Sequence, residues 1–186
     1  MITKDLYYVY NNYFSKKFCD EVIKYGKSKI LETARLSKDK INFNVRKSKT
    51  TFFTNELWIT KELNKLIENA NEVSFNFDIE RPETIQFTEY STTEHYTWHC
   101  DPFPITEENK NNLTRKLSLT VALNDGNEYK QGFFQIKEND KIHQVEQLKN
   151  NGTVVVFPSH QYHRVLPVLK GVRYSLVSWY LGKRFR

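Results

Sequence analysis

From Val73 onward the sequence breaks into short β-forming runs separated by turn signals, and this rhythm constrains the fold more than any other feature. The runs are Phe75–Phe77, Thr84–Tyr90, Thr97–Asp101, Lys116–Asn124, Phe133–Lys137, Thr153–Phe157, His163–Val168 and Val172–Tyr180. Asn124-Asp125-Gly126-Asn127, Asn150-Asn151-Gly152 and Lys170-Gly171 supply breaks between them. Short strands in such number bury their apolar faces by pairing into a two-sheet antiparallel barrel or jelly roll. Periodicity alone does not separate that arrangement from another β-sandwich.

Upstream the period changes. Phe18, Val22, Ile23, Ile30 and Leu31 recur at near-helical spacing between Ser15 and Leu31, with Ser15 placed to cap a helix. A second helix is expected from Lys61 to Asn71, capped by Thr60, with Leu63, Leu66, Ile67 and Ala70 as its buried stripe. Asn42 to Thr54 alternates and predicts one or two strands. The polar, asparagine-rich stretch Ile105–Asn112 reads as a loop over the sheet edge. The expectation is one domain over residues 1–186, with helices within 1–72 bracing a β-core at 73–186.

Composition narrows the functional classes. A chain of 186 residues with 15% aromatics and six glycines suits a packed β-domain, not a low-complexity segment. Its two cysteines, Cys19 and Cys100, make no disulfide framework. The stretch MITKDLYYVYNNYF lacks the pattern of a signal peptide, and no apolar run reaches membrane-spanning length, so a cytoplasmic location is expected. The net charge of +6 would suit nucleic acid, yet the lysines are scattered. Arg46-Lys47-Ser48-Lys49 is the densest basic cluster, and a solvated lysine-rich surface is the preferred reading.

The residues that carry chemistry are His99-Cys100-Asp101 and His163. On an extended strand, residues two apart share a face, so His99 and Asp101 project together while Cys100 points away. Alone, His-x-Asp ahead of Pro102 reads as an ordinary surface turn. A distant histidine would complete the two-His, one-carboxylate facial triad of non-haem Fe(II) oxygenases, which leaves coordination positions open. Both His160 and His163 follow the Phe157-Pro158-Ser159 turn. His163 is preferred because it begins a β-rich run and lies ten residues before Arg173. A guanidinium at Arg173 inside an apolar barrel calls for an anion, whereas on the outer face it would pair with surface carboxylates.

In this ordered set the chain resembles the 2-oxoglutarate and Fe(II)-dependent oxygenases of the prolyl 4-hydroxylase-like branch, including bacterial and phage PKHD-type hydroxylases. The resemblance runs over Ile85 to Gly182 and is carried by Tyr90, His99, Asp101, Lys116-Leu-Ser, Gly132-Phe-Phe, Phe157-Pro158-Ser, His163-Arg-Val165 and Arg173-Tyr-Ser175. It implies a double-stranded β-helix (cupin-like jelly roll) and Fe(II) held by His99, Asp101 and His163. It further implies 2-oxoglutarate gripped at its distal carboxylate by Arg173, with Tyr90 and Ser175 assisting. Dioxygen is then the oxidant, ascorbate a candidate accessory reductant, and a prolyl residue of a peptide or protein the expected substrate. Tyr96, Trp98 and the Ile105–Asn112 loop are candidate pocket edges, with packing beneath that loop the preferred reading of the two aromatics.

Two departures stand out: Gln131-Gly132-Phe133-Phe134 replaces the common Gly-Gly-Glu-Leu, and Thr120-Val-Ala-Leu123 offers no cosubstrate-binding phenol. Oxidative demethylation of a methylated nucleobase is the alternative chemistry. It is disfavoured because Trp179 and Tyr180 end the last strand where such enzymes carry a further arginine. A non-catalytic β-barrel binding module is the alternative from another class.

Overall fold

Alternation along the strands sends side chains to two faces, and each face meets a different partner. The computed structural model describes residues 5–36, 41–54, 56–101 and 112–184. In chain order its elements are β1 (Tyr8–Tyr10), helix α1 (Lys16–Ser28), β2 (Glu32–Thr33), β3 (Arg46–Lys47), β4 (Lys49–Phe53) and helix α2 (Leu57–Ala70). There follow β5 (Arg81–Pro82), β6 (Ile85–Tyr90), β7 (His95–His99), β8 (Leu113–Ala122), β9 (Tyr129–Gln131) and β10 (Phe134–Glu138). The last are β11 (Lys141–Gln144), β12 (Val154–Pro158), β13 (Tyr162–Val165), β14 (Val168–Gly171) and β15 (Arg173–Lys183).

The major antiparallel sheet has the order β1-β12-β8-β15-β6-β4-β2, with β5 attached to β15. A minor sheet, β11-β10-β13-β7-β3, packs against its inner face, and β14 pairs with β9. This is the expected jelly roll.

On β8, Leu117, Leu119 and Val121 point outward and pack with Ile59, Leu63, Leu66 and Ile67 of α2 and with Cys19 and Val22 of α1. The intervening Ser118, Thr120 and Ala122 turn toward the space between the sheets. Neighbouring β12 divides in the same way: Val154 and Val156 face the helices, while Val155 and Phe157 meet Phe134, Ile136 and Val165 of the minor sheet. Each fully buried side chain of this size contributes roughly 1.5–3 kcal/mol. Packing is therefore concentrated on the helix side, and the inner face can carry polar groups.

Helix α1 starts as expected, with the Ser15 hydroxyl accepting the Phe18 N–H at 3.2 Å. It stops at Ser28, because Lys29 turns extended with its N–H on the Gly26 carbonyl, and this leaves Ile30 84% exposed. Its buried face includes Cys19 and Gly26: a Cβ at Gly26 would come within 2.6 Å of the Phe87 ring. Helix α2 begins four residues earlier than the sequence suggested, because Thr60 lies inside the first turn with its hydroxyl on the Glu56 carbonyl. Its buried stripe matches the expected one and adds Ile59.

The Phe75–Phe77 strand does not form. The helix continues as a π-helical turn over Asn71–Phe75 and ends at Asn76, with φ 51°. The Asn71 amide closes that end by bonding both the N–H and the carbonyl of Phe77. The alternation that suggested a strand arises because Phe75 and Phe77 stack on one another in the core. The expected loop at 105–111 lies outside the described residues. No helix is long and apolar enough to cross a membrane among those described.

Gly152 docks the N-terminal segment. Its carbonyl accepts the Phe14 N–H at 3.1 Å, its φ is +75°, and a Cβ there would lie 1.9 Å from the Phe14 carbonyl oxygen. Gly152→Ala should cost about 3 kcal/mol, combining left-handed backbone strain with displacement of that strap. Urea unfolding would show this as a lower midpoint, and an unchanged midpoint would refute the account.

Candidate metal centre and anion pocket

Register brings the two histidines together. In the β13–β7 pair His163 stands directly opposite His99, and their ring centroids are 4.1 Å apart. Strand β7 ends at His99, so Asp101 lies two residues past it and is not on the strand as expected. There its N–H donates to the Ser159 carbonyl at 2.8 Å, which points the carboxylate back at the imidazoles. Asp101 Oδ1 lies 3.7 Å from His99 Nε2, and Asp101 Oδ2 lies 3.7 Å from His163 Nε2. One ligand atom from each of the three residues falls within 4.8 Å of the others.

The tautomers follow from the partners. His99 Nδ1 is 2.8 Å from the Thr97 carbonyl and His163 Nδ1 is 3.0 Å from that of Gln161. A carbonyl only accepts, so each Nδ1 carries the proton and each Nε2 presents its lone pair to the cluster. Burial and then the neighbouring His163 push the His99 pKa down to about 3, against the pull of Asp101. Burial works to raise the Asp101 carboxyl, but His163, His99, Arg115 and the Ser118 hydroxyl together hold it below its ordinary value. Neutral imidazoles with open Nε2 atoms and an ionised carboxylate form a donor set that fits a divalent first-row metal such as Fe(II).

Those shifts carry a pH dependence. Between pH 6.5 and about 3 an unfolded chain takes up a proton at His99 that the folded chain resists. The unfolded state thus binds more protons in this window, so stability falls as pH falls, and the lowered Asp101 pKa acts in the same direction once pH falls through the ordinary carboxylate range. The metal-free protein should lose up to about 1.4 kcal/mol per pH unit from this histidine. Thermal unfolding between pH 7 and pH 4 measures it, and His99→Gln should flatten the decline.

Beside the cluster lies Arg173, at the start of β15 opposite Tyr90 of β6. It is 2% exposed. Its Nη1 donates to the Ser175 hydroxyl at 3.3 Å, while Nη2 is buried and has no hydrogen-bond partner among the described residues. A buried, under-satisfied guanidinium is costly unless an anion meets it. Arg173, Ser175 and Tyr90 line the same cavity of about 460 Å³ as His99, Asp101 and His163. Cavity and orphaned Nη2 together fit a dicarboxylate that reaches from the metal to the arginine.

Several contributors were not singled out in the sequence. Ser118 and Trp179 both donate to Asp101 Oδ2, at 2.7 Å and 2.9 Å. Alternation of Ser118 and Thr120 between leucines on β8 was the signal available for the first. Tyr129 closes the far side of Arg173: a Cβ at Gly132 would lie 3.3 Å from Arg173 Cδ and 3.4 Å from Tyr129 Cδ2. The Lys149 ammonium caps the Tyr129 ring at 3.8 Å, and burial followed by Arg173 pushes its pKa down to about 8. Tyr96 stacks on His99 with centroids 3.4 Å apart and lines the cavity. Trp98 instead packs under Arg164, at 4.4 Å. His160 is exposed on the β12–β13 turn, edge-on to Phe77, and contributes no atom to the cluster. His95 and His143 are placed against the Thr93 carbonyl and Glu138.

Comparison with known proteins agrees with this geometry. Residues 85–181 match the sequence profile of the 2OG-Fe(II) oxygenase superfamily. A PKHD-type hydroxylase of Synechococcus sp. (strain CC9605) is 38% identical over 90 residues, 48% of this chain and 37% of that protein. The PKHD-type hydroxylase YbiX of Escherichia coli (strain K12 / DH10B) is 28% identical over 119 residues, 62% of this chain and 52% of its own length. The chain thus spans about half or less of these curated relatives. Among solved structures, a prolyl-4-hydroxylase of Pseudomonas putida superposes with a TM-score of 0.76 at 18% identity, covering 96% of this chain and 93% of its own. A Trichoplax adhaerens prolyl hydroxylase in complex with a hypoxia inducible factor oxygen degradation domain peptide fragment gives 0.76 at 17% identity, covering 94% and 83%. The viral collagen prolyl hydroxylase of Paramecium Bursaria Chlorella virus-1, as a 2OG complex, gives 0.70 at 19% identity, covering 96% and 97%. At these identities the structural likeness concerns the fold.

Proposed function

The chain belongs to the 2OG-Fe(II) oxygenase superfamily, and from that membership we propose that it is a dioxygenase hydroxylating a prolyl residue of a peptide or protein. The observation that carries this reading is a His-Asp-His cluster sharing one cavity with a buried arginine whose Nη2 has no partner among the described residues. His99, Asp101 and His163 would hold Fe(II), and Arg173 the distal carboxylate of 2-oxoglutarate. Together with dioxygen these groups supply the chemistry: the cosubstrate is decarboxylated to succinate and CO2 while a substrate C–H becomes C–OH.

The chain's own part is positioning. Arg173, with its planar fork, fixes the cosubstrate's far end, and Ser175 orients Nη1. Tyr90 packs beside the guanidinium, its ring centroid 5.6 Å away. Phe134, Phe157 and Val165 give the cavity apolar walls that keep water from the reacting atoms. Tyr96, stacked on His99, stands where a prolyl ring can pack beside the metal ligands. The prolyl preference draws on the Pseudomonas, Trichoplax and viral neighbours, which are prolyl hydroxylases, one of them in complex with a peptide.

Two measurements test this. Anaerobic addition of Fe(II) and 2-oxoglutarate should produce a weak visible charge-transfer band. In air, proline-containing peptides should stimulate succinate release more than methylated oligonucleotides do. Stimulation by the oligonucleotides alone would replace the prolyl reading with base demethylation. Failure to bind both Fe(II) and 2-oxoglutarate would make the barrel a binding module.

A further inference from the structure

Two serines behind the cluster have no assigned role, and their hydrogen bonds run in one determinable direction. Ser118 on β8 and Ser159 just after β12 are both 0% exposed. Ser118 Oγ is 2.7 Å from Asp101 Oδ2 and 2.8 Å from Ser159 Oγ. The Trp179 indole N–H can only donate, so Oδ2, which takes it, is an acceptor, and the single Ser118 proton points at the same oxygen. The Ser159 hydroxyl must then donate to Ser118. The order is fixed: Ser159 to Ser118 to Asp101. Trp179 Nε1 adds a second bond to the same Oδ2 at 2.9 Å. Both lone-pair positions of Oδ2 are thereby used, and Oδ1 lies 3.7 Å from His99 Nε2.

The backbone reinforces the arrangement. Ser159 accepts the Asp101 N–H at 2.8 Å through its carbonyl and donates its own N–H to the Lys116 carbonyl at 2.9 Å. Ser159 therefore holds Asp101 at both the main chain and, through Ser118, the side chain. Burying two hydroxyls costs free energy unless each is bonded, and a bond to an ionised acceptor is about twice as strong as a neutral one.

We propose that Ser159 and Ser118 form a one-way hydroxyl relay that fixes Asp101 as a single-oxygen metal ligand, so that two residues remote from the metal set its affinity. This rests on the metal centre proposed above. The serines are positioning residues: they act through Asp101.

The test is metal affinity of the purified protein, read by titration with Mn(II), followed by electron paramagnetic resonance, and with Co(II), followed by its visible absorption. Ser118→Ala should weaken Mn(II) binding about 10- to 100-fold, the range usual for groups that orient a ligand. It should also alter the Co(II) bands, because both carboxylate oxygens become available. Ser159→Ala should weaken binding less, and should add nothing in the Ser118→Ala background. Ser118→Thr, which keeps the hydroxyl, should restore affinity. Ser118→Cys keeps the volume and weakens the bond, so it carries the same expectation as alanine should that variant fold poorly. Wild-type affinity and bands in folded Ser118→Ala would overturn the relay, as would additive effects in the double variant. Wild-type protein that binds neither Mn(II) nor Co(II) would overturn the metal centre itself, a different result from any of these.

Discussion

Asp101→Ala should yield a folded protein that binds Fe(II) more than about a hundredfold more weakly than wild type and releases no succinate above background. The expected loss exceeds the tenfold to hundredfold that second-layer changes produce, because Asp101 is the cluster's only anion. Two neutral imidazoles remain, and the donors of Ser118 and Trp179 lose their shared acceptor. Relief of a buried charge partly offsets those lost bonds, so the thermal midpoint should move little. Equilibrium metal binding with a colorimetric chelator as competitor checks the first claim and calorimetry the second. Retention of wild-type affinity would remove Asp101 from the ligand set.

Arg173→Met should produce effects of opposite sign on binding and on stability. The substitution keeps an apolar stem and removes a guanidinium that is 2% exposed and whose Nη2 has no partner among the described residues. Affinity for 2-oxoglutarate should fall more than about a hundredfold, as expected when one member of a buried charged pair is removed at a cost of roughly 2–5 kcal/mol. The ligand-free protein should meanwhile gain about 1–3 kcal/mol of stability, because an uncompensated charge has left the interior. Calorimetric titration and urea unfolding of the same samples read both. Destabilisation with unchanged 2-oxoglutarate binding would mean that Arg173 serves the fold and not an anion.

The parts of this protein legible in the sequence are those whose physics is local or periodic. The stripe Leu63, Leu66, Ile67 and Ala70 followed from helical spacing, and the Ser15 cap from one residue's chemistry. His99 and His163 were readable from their flanking runs, although only strand register shows that they face one another. Asp101 reaches the cluster by a different route from the one expected. Alternation along a strand was the argument, whereas a backbone bond to Ser159 after the strand's end is the cause. Ser118 on β8 had only its alternation with leucines as a signal, and nothing in the neighbourhoods of Trp179 on β15 and Tyr129 on β9 distinguishes them from ordinary strand residues. Edge strands such as Lys141–Gln144 are polar and short, so no periodic signal marks them. Phe75 and Phe77 misled because side-chain stacking around a π-helical turn imitates a two-residue repeat.

The division of labour along β8 makes its reading frame a functional constraint. Leucines and serine alternate there at single-residue intervals, so even and odd positions answer to different selective demands. Substitutions on one parity can retune the reaction chamber without loosening the scaffold. Loss of one residue within the strand exchanges the parities, presenting leucine to the carboxylate and hydroxyls to the helices. Such a deletion would damage foldability and chemistry at once.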